Sequence, residues 1–224
     1  MKKPLLYLVF TIVTVLTFSN LLGQNSPGMY FTFLNTNPDK PVISEEKQQD
    51  LQDAHMLNLE TMADQGTLLA AGPFDGGGGM LLLKANSLDE AKGLVLADPA
   101  VKANRFNTET YPFMIAGNDY CGAKKPYKMV TYQFVRLISD VEYFGDMDKM
   151  NYENRVFLGE LNNENDYVVV YGGYGEYNDG IIILDVHTTE EAKNIIAQHP
   201  GIKAGQLKYE VKQLWIAKGT FCKK

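Results

Sequence analysis

The chain has 224 residues, 45% of them apolar and 21% charged, with a formal net charge of −6 at pH 7. That acidic balance argues against nucleic acid and anionic membrane surfaces as partners. The length accommodates two units of about 100 residues, each a normal size for a small domain.

Lys2 and Lys3 precede an apolar run from Leu5 to Phe18, and small and polar residues follow through Gly23-Gln24. This is the order of a secretory signal peptide over residues 1–23, and it places the mature protein in the periplasm or outside the cell. The run is short against the roughly 20 residues of a membrane span, so no stable membrane insertion is expected after cleavage. A retained N-terminal anchor is the alternative. Lys2 and Lys3 are the segment's only charges, so the mature chain carries 19 basic against 27 acidic side chains, a net of −8.

Met29–Leu34 (MYFTFL) is aromatic and β-branched and reads as a strand. Pro38 and Pro41 break the chain, and Ser44 then stands as an N-cap with Glu45 and Glu46 in the first turn. The helix that follows places Leu51, His55, Leu59 and Met62 on one face and ends at Gly66. Thr67–Ala71 and Met80–Ala85 are strands, separated by Gly72-Pro73-Phe74-Asp75 and the glycines Gly76–Gly79, which read as a hairpin tip able to act as a flap. Ser87–Glu90 is a capping box opening a second helix that Asp98-Pro99 closes. Arg105–Ala116 is a final strand in which Pro112 marks an edge or a bulge.

After a linker at 118–126 the same order returns: strand Lys128–Leu137, a weaker helical stretch up to about Asn162, strands Tyr167–Tyr171 and Ile181–Val186, the capping box Thr188–Glu191, and strand Leu207–Ala217. Gly79–Ala116 lies over Gly180–Ala217 without a gap, and Glu90, Ala91, Lys92, Pro99 and Lys102 recur as Glu191, Ala192, Lys193, Pro200 and Lys203. Residues 28–117 and 127–219 are thus two repeats of β-α-β-β-α-β, the ferredoxin-like split unit. Met80–Leu83 and Ile181–Leu184 are apolar without alternation, which implies burial on both faces. Each unit's helices cover one face, and the other repeat's sheet covers the second. The expected α+β architecture is therefore an intramolecular dimeric α+β barrel, with further association of such pseudo-dimers left open. Cys121 and Cys222 occupy equivalent positions. Near a pseudo-twofold axis they would meet and bond in an oxidising compartment; far from it they would remain free thiols.

Repeat one, over about residues 29–117, resembles the YCII-related family of small α+β barrel proteins. The resemblance rests on Ala54-His55 in the first helix, the Gly66 turn, Ala71-Gly72-Pro73, the Ser87–Ala91 helix start and Asp98-Pro99. It implies a barrel fold in which His55 and Asp98 approach as an active pair. It also implies, more faintly, chemistry like that of a related dehydrochlorinase acting on a hydroxylated aromatic. An arginine often found just before the helix histidine is missing, since the chain reads Asp50-Leu51-Gln52-Asp53.

The residues themselves leave two readings. His55, on an apolar helix face, must satisfy both ring nitrogens, as a core histidine bonded to backbone or as a base. Asp98 ends a helix, where the dipole disfavours a carboxylate, unless it caps a following turn. Repeat two has His199 at the position of Asp98, Gly172-Gly173 at that of Gly72-Pro73, and no histidine around Tyr152–Leu158, so it reads as a structural partner. His187 reads as a surface residue, and Tyr167, Tyr171, Tyr174 and Tyr177 as sheet packing. The glycine run lacks the Lys and Ser/Thr of a phosphate loop, and the histidines and cysteines lack metal-ligand spacing, so neither cofactor nor metal is expected. The expectation is a His55–Asp98 general acid/base pair in a pocket with Gly72, Pro73 and Phe74. It would perform lyase- or isomerase-type proton transfer on a small enol or hydroxy-aromatic molecule. The alternative is a non-catalytic small-molecule-binding or scaffold protein.

Overall fold

The computed structural model describes residues 27–140, 142, 145–174 and 178–222; the leader at 1–23 and Tyr177 lie outside them. The first unit runs β1 (Gly28–Thr36), α1 (Glu45–Asp64), β2 (Leu68–Pro73), β3 (Gly79–Ala85), α2 (Leu88–Leu96), α3 (Pro99–Lys102), β4 (Phe106–Gly117) and β5 (Asp119–Tyr120). The second repeats that order as β6 (Met129–Ser139), α4 (Met147–Glu164), β7 (Val168–Tyr174), β8 (Gly180–Leu184), α5 (Thr189–Ile196), α6 (Pro200–Lys203), β9 (Leu207–Ala217) and β10 (Phe221–Cys222). Helix starts follow local chemistry. Ser44, Ser87 and Thr188 each accept a backbone N–H three residues on. Asp146 does the same from Lys149 at 3.0 Å, which turns the Asn- and Asp-rich stretch into a regular helix of 18 residues.

Eight strands form one antiparallel sheet in the order β2-β3-β1-β4-β7-β8-β6-β9, so each half has the same ferredoxin-like internal order. The halves do not simply stack face to face. They join edge to edge where Phe113, Met114 and Ile115 of β4 pair with Tyr174, Gly173 and Gly172 of β7. The outer edges then meet through a bridge between Phe74 and Leu214 and a 2.9 Å bond from Asp75 N–H to the Gln213 carbonyl, closing the barrel. The same bond ties the glycine-rich hairpin to β9, so its base is not a free flap. Both seams need a glycine. A Cβ on Gly72 would stand 2.6 Å from the Trp215 carbonyl oxygen, and one on Gly172 would stand 2.5 Å from that of Met114.

The apolar runs divide between two layers. Met80, Leu82, Ile181 and Ile183 point into the barrel with Phe31, Phe33, Phe74, Phe113 and Phe134. Leu81 and Leu83 pack outward in the cluster of Ala91 and Val95, and Ile182 and Leu184 in that of Ala192 and Ile196. Pro112 sits one residue before β4 acquires β7 as a second neighbour, where its missing N–H costs no ladder bond on that side; the register shift follows between Ile115 and Gly117. The stretch read as a plain linker contains β5, which pairs with β10, and Cys121 and Cys222 form a disulfide with Cα atoms 5.9 Å apart. No helix among the described residues is long and apolar enough to cross a membrane.

Candidate active site

α1 carries His55 and Asn58 one turn apart, and both reach Asp98 at the α2–α3 corner. His55 Nδ1 and Asn58 Nδ2 lie 2.8 and 2.9 Å from Asp98 Oδ2. The other carboxylate oxygen accepts from Ala100 N–H at 2.9 Å and Val101 N–H at 3.3 Å, capping α3. Asp98 is therefore not stranded at the negative end of α2. It stands at the positive end of α3, and the helix dipole argument reverses in its favour. Burial to 2% exposure pushes its pKa up, but the His55 hydrogen bond and charge, the Asn58 amide and the Val101 N–H outweigh that and hold it below the ordinary carboxylate value.

An ionised carboxylate only accepts, so Nδ1 of His55 is the protonated nitrogen and Nε2 holds the lone pair. Nε2 has no hydrogen-bond partner among the described residues, and the side chain keeps 12% of its surface exposed beside the Phe106 ring, whose centroid is 6.2 Å away. The arrangement can accept a proton at Nε2 while Asp98 stabilises the imidazolium.

Gly72, Pro73 and Phe74 are placed elsewhere than in a pocket with this pair. Gly72 and Pro73 belong to β2 at the barrel seam. Phe74 is buried inside the barrel with its ring 4.8 Å from that of Phe134, whereas His55 lies on α1, outside the sheet. The physical reason is that the strand continues two residues past Ala71 to meet β9. A cleft of about 370 Å³ does run along α1 and β2, but Met56, Leu59, Ala63, Tyr120 and Lys125 are among its walls rather than His55 or Asp98. Among the described residues no three His, Cys, Asp or Glu side chains gather as metal ligands.

The corresponding corner of the second unit has a different chemistry. His199 is fully buried and caps α6 by accepting Gly201 N–H at Nδ1, 3.2 Å away. Asn154 of α4 bonds Gly201 N–H at 2.9 Å and Gln206 Oε1 at 2.7 Å, so an amide takes the bridging role.

A second polar cluster at one barrel mouth was not anticipated. Arg136 on β6 bonds Glu109 on β4 through both terminal nitrogens, at 3.3 and 2.7 Å, and its Nε donates to Tyr174 Oη at 3.0 Å. Asn35 and Tyr111 also donate to Glu109, at 2.6 and 2.9 Å, and the guanidinium lies 4.0 Å from the Phe33 ring centroid. The Arg136 hydrogen bond is the main cause holding Glu109 below the usual carboxylate range. The sequence did carry a signal: Glu109 and Arg136 continue the inward alternations Phe113-Tyr111-Glu109 and Tyr132-Phe134-Arg136 with opposite charges.

Fold and strand order define the class: a dimeric-type ferredoxin-like α+β barrel, here built within one chain. Residues 29–113 match the YCII-related domain model, and the chain carries a YCII-related domain over that span. No curated protein matches the chain. Among solved structures, a chlorite dismutase variant of Candidatus Nitrospira defluvii in complex with cyanide is 12% identical with a TM-score of 0.54, over 87% of this chain and 92% of that one. A second variant of that enzyme is 11% identical with a TM-score of 0.55, over 84% and 91%. A heme-binding protein of Thermus thermophilus is 10% identical with a TM-score of 0.48, over 86% and 91%.

Proposed function

We propose that the YCII-related unit is a general acid/base site in which His55 Nε2 exchanges a proton with a small polar molecule, an enol or a hydroxy-aromatic. Asp98 fixes the tautomer, and Asn58 holds Asp98. The observation that supports this reading is the 2.8 Å Nδ1–Asp98 contact on a ring whose other nitrogen is left unpartnered. Such a pair suits a lyase- or isomerase-type proton transfer next to a carbonyl or enol carbon. We further infer that the second unit is a copy that has lost the pair and completes the barrel. The chain is taken to be exported, because the leader has signal-peptide order and the disulfide fits an oxidising space.

One observation favours a scaffold instead: Asp98 already has a sufficient structural task in capping α3. A thermal-shift screen of the mature protein against hydroxy-aromatics, enols and keto acids, run beside His55→Ala, separates the two. A ligand at 100 times its Kd adds about 2.7 kcal/mol. Shifts present in the wild type and lost in the variant support the acid/base site. A wild type that no compound shifts, with His55→Ala equally stable, favours the scaffold.

A further inference from the structure

We propose that His199 is an acid-released catch on the α4–α6 corner: neutral, it caps α6 beside Asn154 and packs against Phe157 of α4; protonated, it can no longer accept the capped N–H. The geometry sets the protonation state. Nδ1 accepts Gly201 N–H at 3.2 Å, sharing it with Asn154 Oδ1 at 2.9 Å, so the ring proton is on Nε2. Nε2 is buried with no partner among the described residues, and the ring meets Phe157 of α4 edge-on at 5.0 Å between centroids. A second proton would have to sit on Nδ1, turning the cap acceptor into a donor aimed at another donor. It would also place a cation at the positive end of a helix, at a site with no solvent exposure.

Among the described residues no charged side chain bonds the ring. The groups in contact are Gly201, Phe157 and, around Gly201, Asn154, Gln206 and Leu207, all neutral. Of the charged side chains on the packed elements, Glu153 on α4 pairs with Lys149 and Lys208 on β9 pairs with Asp140. Asp148, Arg155, Glu160 and Glu164 on α4, Glu190, Glu191 and Lys193 on α5, Lys203 on α6, and Glu210 on β9 are exposed, Lys212 on β9 is half-buried, and none of them bonds the imidazole. Burial accordingly depresses the His199 pKa from 6.5 to about 4. Since the closed corner takes its proton only near 4 and an opened corner near 6.5, acidification through that window favours opening. By pH 4.5 the gain reaches roughly 60-fold over pH 7. Opening releases Phe157, which also lines the groove between α4 and α5 with Leu161, Tyr167 and Ile195.

The first unit provides an internal control, since Asp98 caps α3 with a carboxylate held below its ordinary pKa. Hydrogen exchange of the full chain at pH 7.0, 5.5 and 4.5, corrected for intrinsic rates, tests the proposal. Protection at Ile202–Ala204 should fall by roughly 60-fold between pH 7.0 and pH 4.5 while the α3 amides hold, and His199→Asn, which keeps an acceptor at every pH, should remove the loss. Unchanged protection of α6 in the wild type overturns the proposal, as does an equal loss in His199→Asn. Should that variant fail to fold, His199→Ser, whose hydroxyl also accepts at every pH, supplies the same comparison.

Discussion

Asp98 has four donors and almost no surface, so its substitution separates charge from shape. Asp98→Ala removes the α3 cap, worth about 1 kcal/mol, and strands the His55 and Asn58 donors, so a total loss of about 2–4 kcal/mol is expected in urea unfolding at pH 7. Asp98→Asn keeps an acceptor for the cap and should lose less. Because its folded pKa lies below 3.8, Asp98 contributes stability that is present above pH ~4 and lost as pH falls through the folded value. The wild type should therefore lose stability on acidification below pH 4 more steeply than Asp98→Asn, and parallel curves would remove the carboxylate from the account. At this scale the sequence carried His55 and Asp98 through family resemblance and left out Asn58. An Asn three residues beyond a helical His looks like a solvated position. Its task becomes visible only when Asp98, forty residues downstream, folds onto the same helix face.

At the scale of elements, the two seam glycines follow one rule and a third glycine follows another. Gly72→Ala and Gly172→Ala would press a methyl group against a backbone carbonyl of β9 and of β4, respectively, across the seam. Each should cost about 1–3 kcal/mol by chemical denaturation, because backbone rather than a flexible side chain must yield. Gly93, inside α2, has nothing within 4 Å of its Cβ position, so Gly93→Ala should stabilise by about 0.5–1 kcal/mol. Equal effects at all three sites would mean that seam contact does not govern them. The order of elements was legible because caps, breaks and apolar periods are local. The closure was not, because it depends on β2 running through Gly72-Pro73 to reach β9 from the other repeat. That is also why Gly72, Pro73 and Phe74, read as a pocket from their place after a strand, serve the barrel seam and its core.

At the scale of the whole molecule, the barrel is held at opposite regions by different chemistry. At one mouth the Arg136–Glu109 pair joins the units, in a partly exposed setting that moderates its worth. Arg136→Met should destabilise by about 1–2 kcal/mol at pH 7, and the deficit should shrink as Glu109 protonates below pH 4, where the arginine's partner charge disappears. The β5–β10 ribbon lies elsewhere, with Tyr120 and Phe221 packed at 6.5 Å between ring centroids and the Cys121–Cys222 bond beside them. That bond closes a loop with a sequence separation of 101, which spans the entire second unit. In the chain-entropy model such a loop stabilises by up to about 4–5 kcal/mol, by restricting the unfolded chain. The β4–β7 ladder and the Phe74–Leu214 bridge do not pass through the ribbon. Replacing both cysteines by serine should therefore lower Tm by several degrees while near-ultraviolet circular dichroism at 25 °C stays native-like. A native-like spectrum with an unchanged Tm would mean that the ribbon constrains nothing. A lost spectrum would mean that the barrel closes only with the disulfide in place, and that the ladder and bridge are too weak to hold two units together alone.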